Sequence, residues 1–511
     1  MIPPDPDRQR HLFGATAAAL LLAAGILTGV SSQGVKANTA LKTAGATNVC
    51  AGLGTTPVTL QATIPMDFVS LAHNQTGADC FAWQQFIYLN WAADPNNPGV
   101  PDPTAPSSQF GAPVQSTTVW ESFLSAEVVF AGGASWGQAR PNIMALDTTS
   151  LPLKSISQAG NGKWLTNQRG GLTYYDVRIN QDEFEFITTN VYDLTTAAGQ
   201  AACVQAGTNG KGGLVLPAGG GNARTPTPDF DCSGAAAAYG QNIGSIEIKA
   251  AWTPLPADGS LDYRYKTAVA LVTDPSGTQT QVTVGLVGLH IIRKVPGAPQ
   301  FMWSSFEHID NNPDYNGGAP SGPNLPPNPN QQPRPSFTYF NPNCSVATDP
   351  YFQCVPNAMP GTPCTVGNSP AGCVPYSAPM QITRMTPVDT TADQVTAWAW
   401  SLFPTNSVFN YYRLIDVQWP NQPTGIPPGA TTPLSTGDIT PRDATRIMAN
   451  TTLETYLQSS ASCMDCHQAA PIKSPPSQRF IASSLPLEFA LDDTIEYASD
   501  YSFVFVANTT R

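Results

Sequence analysis

From Ile246 onward the chain alternates: Ile246, Ile248, Ala250 and Trp252 are apolar, with Glu247, Lys249 and Ala251 between them, and similar runs recur over 263–273 and 282–293. A period of two sends successive side chains to opposite faces of an extended strand; wound as a helix, the same residues would scatter around the axis. Pro296-Gly297-Ala298-Pro299 then turns the chain into another run, 300–308. Strands in succession joined by turns predict an antiparallel sheet. Spacings of three and four predict helices over 81–91, 119–130, 392–403 and 451–467, while 411–419 and 501–506 read as strands. The expected class is α+β, a large β-rich body with Pro-rich loops followed by a C-terminal helical segment.

Only 12% of residues are charged and 49 are Pro, against about 25% charged in ordinary globular chains. Long fixed loops follow, such as 94–113 and the Asn/Pro/Gly tract 311–335. Arg8 and Arg10 precede an apolar run, 12–30, that ends in small residues at 35–37. Residues 1–37 therefore read as a secretory signal peptide, with a single membrane anchor as the competing reading. Removal of the signal leaves no stretch apolar enough to span a bilayer, so the expected location is periplasmic or otherwise extracytoplasmic. The net charge of −12 argues against nucleic acid or an anionic membrane as a partner.

In an exported chain, an even set of cysteines reads as disulfides. Setting aside the pair near the carboxyl end leaves Cys50, Cys80, Cys203, Cys232, Cys344, Cys354, Cys364 and Cys373. Proximity predicts Cys50 with Cys80, Cys203 with Cys232, and two bridges inside the last four, in an order left open. A zinc site is the alternative for that cluster, although it lacks close C-x-x-C pairs. The expected organisation is a body over 38–335, a Cys-rich disulfide loop over 336–380, and a C-terminal region over 381–511.

That region contains Cys463-Met464-Asp465-Cys466-His467. C-x-x-C-H is the attachment signature of a c-type haem, two thiols for the vinyl groups and an imidazole for the iron. With 10 Cys and 5 His in 511 residues, chance gives about 0.002 occurrences. A plain disulfide and a thioredoxin-like redox pair are the alternatives. Thr451 and Glu454 have capping-box spacing, which predicts that the motif ends a helix. The expected cofactor is one covalent haem c, bound by Cys463 and Cys466 with His467 as an axial ligand.

No Met or His follows His467, so a second axial ligand must come from upstream or be absent. His73, His290, His308 and Met448 are the upstream candidates. A hairpin symmetric about Gly297-Ala298 sets His290 opposite Ser305 and puts His290 and His308 on opposite faces. His308, at a strand end in Phe306-Glu307-His308-Ile309-Asp310, is the preferred distal candidate. His290, among Leu289, Ile291 and Ile292, reads more easily as a hydrogen-bonded core residue. Arg293, Glu307 and Asp310 are candidates for acid, base or charge near the iron. Trp83, Trp91, Trp398 and Trp400 could line a pocket, but read more readily as core.

Cys463-Met464-Asp465-Cys466-His467, with the runs Gly288-Leu289-His290-Ile291 and Phe306-Glu307-His308-Ile309-Asp310-Asn311, resembles a family of exported bacterial monohaem proteins of the cytochrome c class. The resemblance implies thioethers at Cys463 and Cys466 and iron ligation by His467. Because a tethered haem always permits it, electron transfer with a redox partner protein is the leading expected function. A haem enzyme, peroxidase-like or oxidase-like, acting on a small-molecule substrate is one alternative, and a haem-based sensor or binding module another. The body is far larger than one small domain of about 100 residues, which favours a role beyond carrying the cofactor.

Overall fold

The computed structural model describes residues 46–509, apart from 52–56, 69–73, 114–116, 138–142, 147–155, 211, 222–226, 274–278, 317–318, 322–324, 326–327, 350, 352, 366, 368, 438, 441–446 and 474–495. The expected signal at 1–37 and the candidate His73 lie outside the described residues. No helix among the described residues is long and apolar enough to cross a membrane.

The alternating runs form the centre of a nine-stranded, mainly antiparallel sheet. Its long strands are β1 (Tyr174–Ile179), β2 (Ile246–Pro254), β3 (Thr267–Thr273), β4 (Gln279–Val295), β5 (Ala298–His308) and β6 (Tyr412–Pro420). The central order is β1-β2-β4-β5-β6, and β3 pairs with the first half of β4. Short pieces extend the edges, among them Ile143–Leu146, which runs parallel to β3. Because β6 is hydrogen-bonded along β5, the region after 380 is built into the same sheet as the body.

Seven helices are used below: α1 (Gln75–Leu89), α2 (Ala126–Phe130), α3 (Gln181–Thr189), α4 (Ala197–Thr208), α5 (Thr390–Leu402), α6 (Cys463–His467) and α7 (Val504–Asn508). The sheet has two unlike faces. On one, Ile248, Leu289, Ile291 and Phe306 meet α1 and α5 in an apolar core; the Trp83 and Phe86 rings lie 5.1 and 4.5 Å from Phe306. Trp83 and Trp400 are core here, their indole N–H groups donating to Thr396 Oγ1 and the Tyr412 carbonyl. The other face carries Glu247 and Lys249 from β2, His290 and Ile292 from β4, and Trp303 and Ser305 from β5, as the cross-strand pairs Lys249–His290, His290–Ser305 and Ile292–Trp303 require.

Cys50–Cys80 and Cys203–Cys232 are bridged as expected, and the cluster resolves into Cys344–Cys354 and Cys364–Cys373. All four of its thiols are thereby used, which removes the zinc alternative.

Three sequence expectations are corrected. Residues 119–130 are not one helix: Leu124–Ser125 pairs with the end of β1, and only Ala126–Phe130 is α-helical. Strand pairing there outweighs local periodicity. The helix expected over 451–467 is a series of turns followed by the five-residue α6. Thr451 gives its N–H and hydroxyl to Glu307, and Ser462, extended at φ −140°, restarts the chain as an N-cap. The run 501–506, read as a strand, leads instead into α7, because Asp500 and Tyr501 turn the backbone at φ 54° and 69° and Phe505 packs against Phe130.

Candidate functional site

The second face of the sheet is the floor of a cavity of about 500 Å³, within the range of small-molecule and cofactor sites. Its apolar lining includes Ile292, Trp303, Met448, Leu453, Leu457 and Phe503. Lys249, His290, Glu454, Cys463, Cys466 and His467 bring ionisable groups to the same cavity.

The loop ahead of α6 is laid across this face by side chains of the sheet. Asn450 Nδ2 donates to Ser305 Oγ (3.1 Å) and the Phe306 carbonyl (3.0 Å), and Tyr175 donates to the Thr452 carbonyl at 2.9 Å. Gly288 lies beneath: a Cβ there would sit 2.1 Å from Thr452 Oγ1, so the loop can approach only a bare backbone. The helix α6 is then pinned at its start, where Gln418 Oε1 on β6 accepts the Cys463 and Met464 N–H groups at 3.0 and 3.3 Å.

Cys463 and Cys466 are free thiols, the first partly buried and the second exposed. Burial, then the neighbouring Glu454, pushes both thiols up, Cys463 well above its usual value. Exchange-active C-x-x-C pairs have the opposite character, a thiol pulled down. Met464, between them, turns into the apolar cluster rather than the cavity.

His467 rests between Trp303 and Phe503, with ring centroids at 4.4 and 4.9 Å. Its Nδ1 is 2.6 Å from the Tyr501 carbonyl. A carbonyl only accepts, so Nδ1 carries the proton and Nε2 keeps its lone pair. Burial lowers the imidazole to about 4, so the ring is neutral. The left-handed backbone at Asp500 and Tyr501 aims that carbonyl, and it is held by the Lys294–Asp500 ion pair and by Leu216 N–H donating to Asp500 at 2.6 Å.

The structure reverses the two upstream histidines. His308 does not line the cavity. Its Nδ1 accepts the Asp310 N–H at 3.1 Å, its Nε2 lies 3.1 Å from the Arg264 carbonyl, and its ring stacks on Tyr265 at 3.8 Å. With both nitrogens engaged and burial lowering it to about 4, it is a neutral core residue and not the distal candidate. His290, 6% exposed, faces the cavity instead. Its Nε2 is 3.4 Å from Glu454 Oε2 but has no hydrogen-bond partner. Glu454 also accepts the Asn450 N–H at 2.9 Å. Burial raises that carboxyl, yet His290, Lys249 and Asn450 together hold it below the ordinary range.

The other polar candidates fall elsewhere. Arg293 is on the opposite face, donating to the Pro65 carbonyl and lying over Phe81. Glu307 anchors Thr451 and pairs with Arg384, and Asp310 pairs with Arg264 and Arg334. Sequence reasoning passed over Trp303, Gln418, Glu454 and Lys249. Lys249 was legible as polar but reads as solvent-facing until the cavity is seen. Burial lowers its amine, with Glu454 opposing.

Among the described residues, no three His, Cys, Asp or Glu side chains gather into a metal-ion site. No protein-family model, no curated protein and no solved structure matches the chain.

Proposed function

We propose that this cavity holds one covalently attached haem c and that the protein transfers electrons outside the cytoplasm. The supporting observation is the meeting of Cys463, Cys466 and His467 in the lining of one mostly apolar cavity, with both thiols free while the other eight cysteines are bridged. Cys463 and Cys466 would hold the haem as thioethers, each S–H adding across a vinyl double bond, sulfur to one carbon and hydrogen to the other, with no net oxidation. His467 would hold the iron through Nε2, and the Tyr501 carbonyl fixes its tautomer and raises its basicity. When bound, the haem supplies one-electron iron chemistry. Cys466 is exposed, which leaves this end of the cavity open to a redox partner protein. Four disulfides suit an oxidising compartment, in keeping with export to the periplasm by the segment 1–37.

Mass spectrometry of the exported full-length protein tests the assignment. One added haem is expected, lost or sharply reduced in Cys463→Ser and Cys466→Ser. A wild-type mass without haem, with Cys463 bridged to Cys466, defeats it. Oxidation of a small substrate is the second reading, favoured by Lys249, His290 and Glu454 on the cavity wall; peroxide-dependent turnover would support it over electron transfer.

A further inference from the structure

Trp303 marks where His467 meets the sheet, and Trp303 pairs with Ile292. Two residues along the same strand and on the same face stands His290, an offset of roughly 6–7 Å. Both imidazoles thus line one cavity, and at His290 the nearest protein partner, Glu454 Oε2 at 3.4 Å, does not reach hydrogen-bond geometry. His290 Nε2 is buried without a hydrogen bond, because Glu454 is held back by Asn450 at 3.4 Å from it. Leaving such a group unsatisfied costs about 1–3 kcal/mol unless something else occupies it. Met448, the competing soft ligand on the wall, needs no such account, since its side chain packs in the apolar cluster at no polar cost.

We infer that His290 is the second axial ligand, facing the iron from the side opposite His467, so that the protein is a bis-histidine monohaem centre. This rests on the haem reading above. It also deepens that reading, since an iron held on both sides favours outer-sphere electron transfer over ligand activation. The residue is supplied by the long hairpin of the body, some 170 positions before the attachment motif in the chain, which gives the large sheet a direct part in coordination.

The test uses full-length protein matured with its haem, read by optical and electron paramagnetic resonance spectra rather than turnover. The expected ferric wild type is low-spin and does not bind carbon monoxide when reduced. His290→Ala is expected to keep covalent haem by mass, become high-spin and bind carbon monoxide, and added imidazole should restore the low-spin spectrum. Met448→Leu should leave the spectrum unchanged. If His290→Ala fails to fold, His290→Met, close in bulk, should shift the spectrum to a histidine–methionine type. Covalent haem with a high-spin wild type, a His290→Ala or His290→Met spectrum identical to wild type, or conversion to high spin by Met448→Leu would overturn the His290 assignment alone. A mass lacking haem would overturn both readings.

Discussion

Two buried histidines show how hydrogen bonding, more than position in the chain, decides what an imidazole is for. His308 spends both nitrogens on backbone groups, Asp310 N–H and the Arg264 carbonyl, and so has no lone pair left to give. Its folded value is about 4 because burial disfavours the charged form. The unfolded chain takes up a proton near the usual value of about 6.5, so His308 contributes stability that is present above that pH and is lost as pH falls toward 4, at about 1.4 kcal/mol per unit. His308→Gln is expected to destabilise by about 1–3 kcal/mol at pH 7 and to make denaturation midpoints fall less steeply between pH 6.5 and 4. Haem content by mass should stay unchanged. A loss of covalent haem without a loss of stability would show that His308 serves the cofactor after all.

At the level of elements, the site depends on one loop lying flat on one strand. Gly288 permits this, and Gly288→Ala would drive a Cβ to 2.1 Å from Thr452 Oγ1 and 3.0 Å from Asn450 Oδ1. Overpacking of this kind costs about 1–3 kcal/mol. It should lower the thermal midpoint and, by lifting the turns before α6, reduce haem incorporation, whereas alanine at exposed Gly425, where a Cβ meets nothing and φ is not positive, should do neither; equal effects at both would refute the seating argument. The strands were legible because alternation survives even in a buried sheet, and the His290–Ser305 register followed from the turn alone. That Cys463, Cys466 and His467 stand together was legible from their spacing in the chain. The segment 451–462 was not, because the partners of its backbone, Glu307 for the Thr451 N–H and Tyr175 for the Thr452 carbonyl, lie on distant strands that no local pattern reveals. That Lys249 and His290 face a cavity was not legible for a related reason: in a central strand of a wide sheet, what lies over a position is set by distant segments packed on that face.

For the whole molecule, the sheet separates an apolar side, packed by aromatic helices, from a side on which charge is buried around the cavity. Behind the wall formed by Glu247, the carboxyls of Glu183, Glu247 and Asp500 lie near one another, and Lys294 is ion-paired with Asp500. Neither oxygen of Glu183 has a hydrogen-bond partner among the protein groups. Burial, reinforced by Glu247 and Asp500, pushes Glu183 well above its usual value, and burial pushes Glu247 up to about 7. A carboxyl that holds its proton more tightly folded than unfolded stabilises the fold at low pH, and that stability is lost as pH rises from about 4.5 through the folded value. Glu183→Gln keeps the shape of the protonated acid and removes the titration. Its stability should therefore lie within about 1 kcal/mol of wild type at pH 5 and exceed it by about 1–3 kcal/mol at pH 8, measured by denaturant unfolding at the two pH values. A difference that does not grow with pH would mean that Glu183 is ionised and paired in the folded protein. The charged side of the sheet would then be held by ion pairs rather than by a shared proton.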